Sequence, residues 1–168
     1  MHIFELAADW RGEELHGPHP TISLTRRGGK IVVAVDAPFA GDPLPTGPAG
    51  RLWKLWEHEV VELFVLGENH RYIELELGPH GHYLFIGFDG RRSMADDDLP
   101  LHRYAAQIDG DRWRGEALFD TALLPAGADR FNLYAIAGPT RVHRALFAAD
   151  GDAPDFHRLE CFGDLPDL

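Results

Sequence analysis

Short runs of Val, Ile, Phe and Tyr, broken by clusters of Gly, Pro and Asp, limit how this chain can fold. Such runs at short, regular intervals are typical of β-sandwiches, and no long stretch has the periodicity of an amphipathic helix. The pattern predicts an all-β antiparallel sandwich. The predicted strands are Ile3–Ala7, Thr21–Arg26, Ile31–Ala37, Glu59–Leu66, Arg71–Leu77, Tyr83–Phe88, Leu101–Ile108, Arg112–Phe119, Phe131–Ala137, Arg144–Ala148 and His157–Phe162.

Three of the breaks have the residue types of tight hairpin turns. Gly28-Gly29 and Asp109-Gly110 can adopt the positive φ angles that two-residue hairpins need. In the segment 78–81, a proline between glycines ends one strand and reverses the chain into the next. The strands joined by these turns are therefore expected to pair antiparallel.

The segment Ala37–Gly50 contains four prolines among Gly and Asp, which predicts a long surface loop. The strands on both sides of this loop are needed to complete one sandwich, so it is not interpreted as a linker. Residues 1–168 are expected to form a single domain. A single short helical turn is predicted within Asp120–Pro125.

Composition restricts the partners and the compartment. The formal net charge of −11 repels phosphate backbones and anionic lipid surfaces, which argues against nucleic acid and membranes as partners. Cys161 is the only cysteine, so no internal disulfide can form and a reducing compartment suffices. With no signal-like start and no apolar stretch long enough for a membrane span, we expect a cytoplasmic protein.

Two adjacent predicted strands carry carboxylates on one face. The two-residue period of a strand places Glu62 between Val60 and Phe64, where an ionised carboxylate needs a cationic neighbour or a ligand hydroxyl. In the next strand Tyr72, Glu74 and Glu76 face one side. If the two strands pair, Glu62, Tyr72 and Glu74 converge on one surface, which is either a binding surface or an ordinary solvated sheet face.

Two tryptophans, Trp53 and Trp56, follow the proline-rich loop. Either both rings close the end of the sandwich, or at least one forms an aromatic platform of the kind that stacks on sugar rings. Residue type alone favours the first of these.

The sequence contains no clear motif for a metal site or for a catalytic nucleophile. His80 and His82 have the spacing of a ligand pair, but no acidic residue follows as in cupin barrels, so no metal is predicted. Cys161 lies within a predicted strand, and no serine-nucleophile or phosphate-loop motif is present. No cofactor is therefore expected.

Several segments resemble family-nine carbohydrate-binding modules and DOMON-like domains, which are antiparallel β-sandwiches. They also resemble, more specifically, an uncharacterised family of small stand-alone proteins from bacteria and animals. The segments that carry the resemblance are Leu55–Phe64, Tyr72–Gly81, Trp113–Ala117, Phe131–Gly138 and Phe156–Leu165.

In the sugar-binding modules an aromatic pair and a carboxylate hold the ligand. By motif match, the resemblance implies Trp56 as the first aromatic and Glu62 as the carboxylate. Phe156 and Phe162 are the candidates for the second aromatic. Related DOMON-like domains hold haem through Met and His, but Met94 is the only internal methionine and lies in a predicted turn, so haem is not expected.

The leading hypothesis is a non-catalytic domain that binds a small-molecule ligand, a carbohydrate or similar hydroxyl-rich compound. Its candidate contacts are Trp56, Glu62, Tyr72, Glu74, Arg91 and His157. A second hypothesis is a small hydrolase or isomerase that uses His157 with Glu62 or Glu160. A third is a protein-interaction module that uses an exposed edge strand.

Overall fold

A computed structural model describes residues 1–168 as thirteen strands in two sheets. The five-stranded sheet contains, in spatial order, β1 (His2–Glu5), β2 (Thr21–Arg27), β3 (Lys30–Pro38), β10 (Arg112–Asp120) and β9 (Arg103–Asp109). The eight-stranded sheet contains β12 (Val142–Ala145), β11 (Arg130–Ala137), β5 (Val60–Leu66), β6 (Tyr72–Leu77), β7 (His82–Gly90) and β4 (Gly50–Arg51), with β13 (Gly163–Asp164) beside β11 and β8 (Ser93–Asp96) beside β7.

The predicted sandwich is confirmed, and all strand pairs but one run antiparallel. The exception is the two-residue β4, which pairs parallel to β7. The turns Gly28-Gly29 and Asp109-Gly110 join β2 to β3 and β9 to β10 as predicted, with positive φ angles at all three glycines. The helical part of the chain consists of 3₁₀ turns, at Leu55–Glu57, Glu68–His70, Thr121–Leu123 and Leu159–Cys161.

The main core lies between the two sheets. Alternate residues of the central strands point into it, among them Val61, Leu63 and Val65 of β5 and Ile73, Leu75 and Leu77 of β6. Trp113 and Phe119 of β10 contribute from the five-stranded sheet.

A second apolar cluster covers the opposite, outer face of the eight-stranded sheet. It contains Phe64 and Tyr72 from the sheet, and Phe156 and Phe162 from the C-terminal segment that crosses it. This face is therefore not the solvated surface that an antiparallel sandwich often has. Glu62, Glu74 and Glu76 are buried beneath this layer.

One predicted strand is wrong and another is shifted. Residues 157–162 form an irregular segment with a 3₁₀ turn, because Phe156, Leu159 and Phe162 anchor it on the second cluster at a spacing of three residues. The strand predicted at Arg144–Ala148 lies at Val142–Ala145, paired with β11. The short helical turn within Asp120–Pro125 is confirmed at Thr121–Leu123.

None of the helical turns has the length or apolar character needed to cross a bilayer.

Candidate functional site

A pocket of about 390 Å³ opens on the outer face of the eight-stranded sheet. Strands β5, β6 and β7 form its floor. Its walls come from the turn around Trp53–Trp56, from the β7–β8 hairpin and from residues 154–157. Segments distant in the chain thus meet over a single sheet surface.

The two tryptophans form one wall of the pocket. Lys54 adopts a left-handed φ of 65° and begins the 3₁₀ turn, so that Leu55 points into the protein while both indole rings stay beside the pocket. The rings meet edge to face, with their centroids 5.2 Å apart. Trp53 is 44% exposed and Trp56 is half-buried. Leu55, and neither tryptophan, is the fully buried residue of this turn.

Three glutamates lie together beneath the pocket. Glu62 pairs with Glu76 across β5 and β6, and Phe64 pairs with Glu74, so the three side chains share one face. Their exposed fractions are 2% for Glu62, 4% for Glu74 and 0% for Glu76. Oε1 of Glu62 and Oε2 of Glu74 have no hydrogen-bond partner in the protein, and the carboxyl groups of Glu74 and Glu76 are close enough to interact directly. Glu62 and Glu74 line the pocket.

This crowding changes the proton affinity of all three carboxyl groups. Burial raises the pKa of Glu62 well above its ordinary value, and the negative charge of Glu74 raises it further. Burial also raises the pKa of Glu74, to about 7. The pKa of Glu76 rises for the same reason, with the charge of Glu62 adding to the effect of burial. The three groups cannot all be ionised together without an added positive charge.

Tyr72 and His157 form a hydrogen-bonded pair behind the pocket wall. The backbone N–H of Arg92 donates to the Tyr72 hydroxyl at 3.0 Å, and the same hydroxyl is hydrogen-bonded to His157 Nδ1 at 2.6 Å. Burial lowers the pKa of His157 to about 4, so the ring is neutral at neutral pH. His157 Nε2 lies 3.8 Å from Glu74 Oε2.

Some of the predicted site residues line the pocket, and others hold the lining residues in place or lie outside it. Trp56, Glu62, Glu74 and His157 line the pocket, whereas Tyr72 holds the ring of His157. Arg91 lies outside: its guanidinium binds Asp155 at 3.0 Å and approaches Glu160 at 3.9 Å.

Arg92 lines the pocket where Arg91 was expected, because the turn between β7 and β8 directs the two side chains differently. Arg92 has a left-handed φ of 57°, and its guanidinium binds Asp155 at 2.6 Å. The Asp155 carboxylate also accepts a hydrogen bond from the His157 backbone N–H at 3.0 Å. Asp155 therefore joins the C-terminal segment to the β7–β8 hairpin.

The C-terminal segment supplies an aromatic wall. Phe156 lines the pocket and stacks on Tyr134, with ring centroids 3.9 Å apart. Phe162, the other candidate, is fully buried and packs against Phe64. Glu160, considered above as a partner for His157, binds Arg158 at 2.6 Å and does not line the pocket.

Sequence reasoning missed more than half of the residues that line the pocket. Phe64, Ile86, Phe88 and Ile136 have the same strand parity as the glutamates, so their direction was predictable once the pairing was known. Other lining residues come from irregular segments, for which the sequence carries no signal of position: Arg92, Met94, His143, Pro154 and Asp155. No three His, Cys, Asp or Glu side chains are arranged as metal ligands.

Sequence comparison decides the family. A mouse protein of the UPF0462 family is 35% identical over 170 residues, an alignment that covers 95% of this chain and 88% of the mouse protein. The chain belongs to the UPF0462 family. A human member is 32% identical, and the alignment covers 95% of this chain and 85% of the human protein. A zebrafish member is 38% identical, and the alignment covers 80% of this chain and 74% of the zebrafish protein. No protein-family model matches the chain.

Solved structures agree with the predicted fold. A proposed carbohydrate-binding protein from Bacteroides uniformis superposes with a TM-score of 0.76 at 16% identity, covering 98% of this chain and 85% of that one. A family-nine carbohydrate-binding module from Caldicellulosiruptor kristjanssonii, in complex with glucose, gives a TM-score of 0.50 at 13% identity. That superposition covers 87% of this chain and 74% of the module. The resemblance to family-nine modules is thus confirmed as a shared fold.

Proposed function

We propose that this protein binds a small carbohydrate or similar hydroxyl-rich ligand, without catalysis, in the pocket between Trp56 and Phe156. The observation that carries the proposal is the pair of buried carboxyl groups, Glu62 and Glu74, which line the pocket together with aromatic side chains and each have an oxygen without a hydrogen-bond partner. A buried acceptor without a donor costs about 1–3 kcal/mol. Ligand hydroxyl groups are donors that reach such acceptors, and the indole ring offers a face for the C–H side of a sugar.

The kinds of protein that share the fold also support a sugar as the ligand. One neighbour is a proposed carbohydrate-binding protein, and another is a module whose structure contains glucose. The pocket volume of about 390 Å³ falls in the range of small-molecule sites, roughly 300–1,000 Å³.

Binding is favoured over hydrolysis or isomerisation by the state of His157. Its Nδ1 is engaged by Tyr72, and burial keeps its pKa near 4, so it does not supply a cationic acid at neutral pH. Glu160, the alternative partner, lies on the exposed side of the C-terminal segment. The proposed ligand needs neither metal nor cofactor.

The test compares two tryptophans of the same apolar cluster. Trp56 lines the pocket, whereas Trp10 packs against the cluster outside it. Wild-type protein is screened on a monosaccharide and oligosaccharide array, and the strongest ligand is titrated by calorimetry, where a dissociation constant in the millimolar to micromolar range, about −4 to −8 kcal/mol, is expected.

Trp56→Ala is expected to weaken this binding about tenfold or more, from the loss of stacking and of apolar contact. Trp10→Ala should leave the affinity within about twofold. Absence of any sugar ligand for the wild type, or equal losses in the two variants, would contradict the proposed function.

A further inference from the structure

The pocket floor contains more potential negative charge than the surrounding protein can balance. Glu62 and Glu74 are at least nine-tenths buried, line the pocket and each have one oxygen without a hydrogen-bond partner. Glu76 lies on the same face, opposite Glu62. Buried carboxylates in proteins are normally paired with a cation or held by several donors. Hydrogen bonds from neutral ligand hydroxyl groups would not balance the negative charge of three carboxylates on one sheet face.

The charge of Arg141 lowers the pKa of Glu62 and the charge of Arg92 lowers the pKa of Glu74, but both arginines make their hydrogen bonds and ion pairs with other groups. Arg141 donates hydrogen bonds to the carbonyls of Trp56 and His58, at 2.6 and 3.1 Å, and its other nitrogen binds Asp42 at 3.3 Å. Arg92 is paired with Asp155. No arginine or lysine nitrogen lies within 4 Å of Glu62 or Glu74 in an ion pair; His157 Nε2, 3.8 Å from Glu74, belongs to a neutral ring.

The walls around these carboxyl groups are suited to a cation. Trp53, Trp56, Phe64, Phe88 and Phe156 border the pocket, and the face of an aromatic ring attracts positive charge. A protonated primary amine has three N–H donors and no acceptor, which matches the oxygens of Glu62 and Glu74 when these carboxyl groups are ionised. The net charge of −11 also favours the approach of cations over anions.

We propose that the ligand of this pocket carries a protonated amino group, bound between the carboxyl groups of Glu62 and Glu74 under the aromatic wall, and that the ligands are amino sugars. This inference rests on the proposed function, because the sugar ring is assigned to Trp56 and only the amino group to the glutamates. The ammonium group supplies the positive charge that the floor lacks and favours the ionised form of both carboxyl groups.

Matched ligands test the inference on the wild-type protein. Glucose, glucosamine and N-acetylglucosamine are titrated at neutral pH and low salt, together with 6-amino-6-deoxyglucose and its N-acetyl derivative. At least one aminated sugar is expected to bind about tenfold tighter or more than its hydroxyl and N-acetyl counterparts, about 1.4 kcal/mol or more. The advantage should shrink as salt is added.

The outcomes separate this inference from the proposed function. If neutral sugars bind as tightly as their aminated counterparts, the amine inference fails while sugar binding stands. If neither kind of sugar binds, the proposed function fails and this inference fails with it.

Charge-removing variants provide a second readout. In Glu62→Gln and in Glu74→Gln the ratio of amino-sugar to neutral-sugar affinity is expected to fall to about one, whatever the neutral affinity becomes. Glu57→Gln is the control: Glu57 precedes strand β5, is 58% exposed and is paired with Lys54, so the ratio should remain that of the wild type. Thermal unfolding confirms that each variant is folded. A ratio that is unchanged in folded Glu62→Gln and Glu74→Gln would overturn the inference.

Discussion

The side chain of Glu76 occupies a place where an ionised carboxylate is strongly disfavoured. It is fully buried, and it lies opposite Glu62 with Glu74 two positions away on the same face. Burial raises its pKa well above the ordinary value of 4.5. Glu76 does not line the pocket, so ligand contact gives no direct compensation for this cost.

Replacing this carboxyl group with an amide is expected to stabilise the protein. At about pH 8, Glu76→Gln should raise the free energy of unfolding by about 1 kcal/mol or more, because it removes a buried ionisation and offers N–H donors to its neighbours. At about pH 4.5 the carboxyl group is already protonated in the folded protein, and the gain should vanish. Urea denaturation at the two pH values measures this difference, and destabilisation at the higher pH would contradict it.

The side-chain directions on β5 and β6 were predictable, but the pocket was not. A two-residue period places Glu62, Tyr72 and Glu74 on one face, as the structure confirms. Glu76 has the same parity and follows from the same argument. What covers this face depends on irregular segments, including Pro154 and Phe156, whose path over the sheet has no periodic signal in the sequence.

At the scale of elements, the C-terminal segment forms one side of the pocket through a small number of contacts. Asp155 holds it to the β7–β8 hairpin through Arg91 and Arg92, and Phe156 holds it to β11 by stacking on Tyr134. Most of its own backbone makes no strand ladder. Its position should therefore be less stable than that of the strands beneath it.

Asp155→Asn is expected to loosen this segment without unfolding the protein. Both arginines are largely exposed, so each ion pair contributes at most about 1 kcal/mol to global stability. Amide hydrogen exchange over residues 154–158 should accelerate, and affinity for the pocket ligand should fall. Asp164→Asn is the control. The Asp164 side chain is fully exposed, and its ion pair with Arg130 is long, at 3.8 Å, so its loss should have little effect. Unchanged exchange in Asp155→Asn would show that the ion pairs do not hold the segment.

The longer strands follow from the sequence and the shortest do not. Strands β2, β3 and β5–β7 have alternating apolar residues between clear turn signals, so their positions were predicted within a few residues. Strands β4 and β13 have two residues each, too few for any periodicity. At residues 157–162 the apolar content resembled a strand, but the three-residue spacing of Phe156, Leu159 and Phe162 fits a 3₁₀ turn better.

At the scale of the whole molecule, the two apolar clusters differ in what they enclose. The cluster between the sheets has one buried carboxyl group beside it, that of Glu59 near Trp113, whereas the outer cluster surrounds three glutamates and His157. Titration of the outer layer should therefore dominate how stability depends on pH near neutrality. The two kinds of group act in opposite directions.

For Glu74 the folded pKa of about 7 lies above the ordinary 4.5, so its contribution to stability is complete below pH 4.5 and is lost as the pH rises to about 7. The loss is on the order of 3 kcal/mol. Glu62 and Glu76 act in the same direction. For His157 the folded pKa of about 4 lies below 6.5, so its contribution is complete above pH 6.5 and is lost as the pH falls to about 4.

Because three carboxyl groups oppose this histidine, we expect the free energy of unfolding of the ligand-free protein to fall between about pH 5 and pH 8. Glu74→Gln should make the decline shallower, since it removes one of the groups responsible. His157→Gln should make it steeper, since it removes an opposing group. Urea denaturation at several pH values gives the three slopes. A wild-type stability that rises across this range, or variants whose slopes change in the reverse order, would show that the buried glutamates do not govern the outer layer.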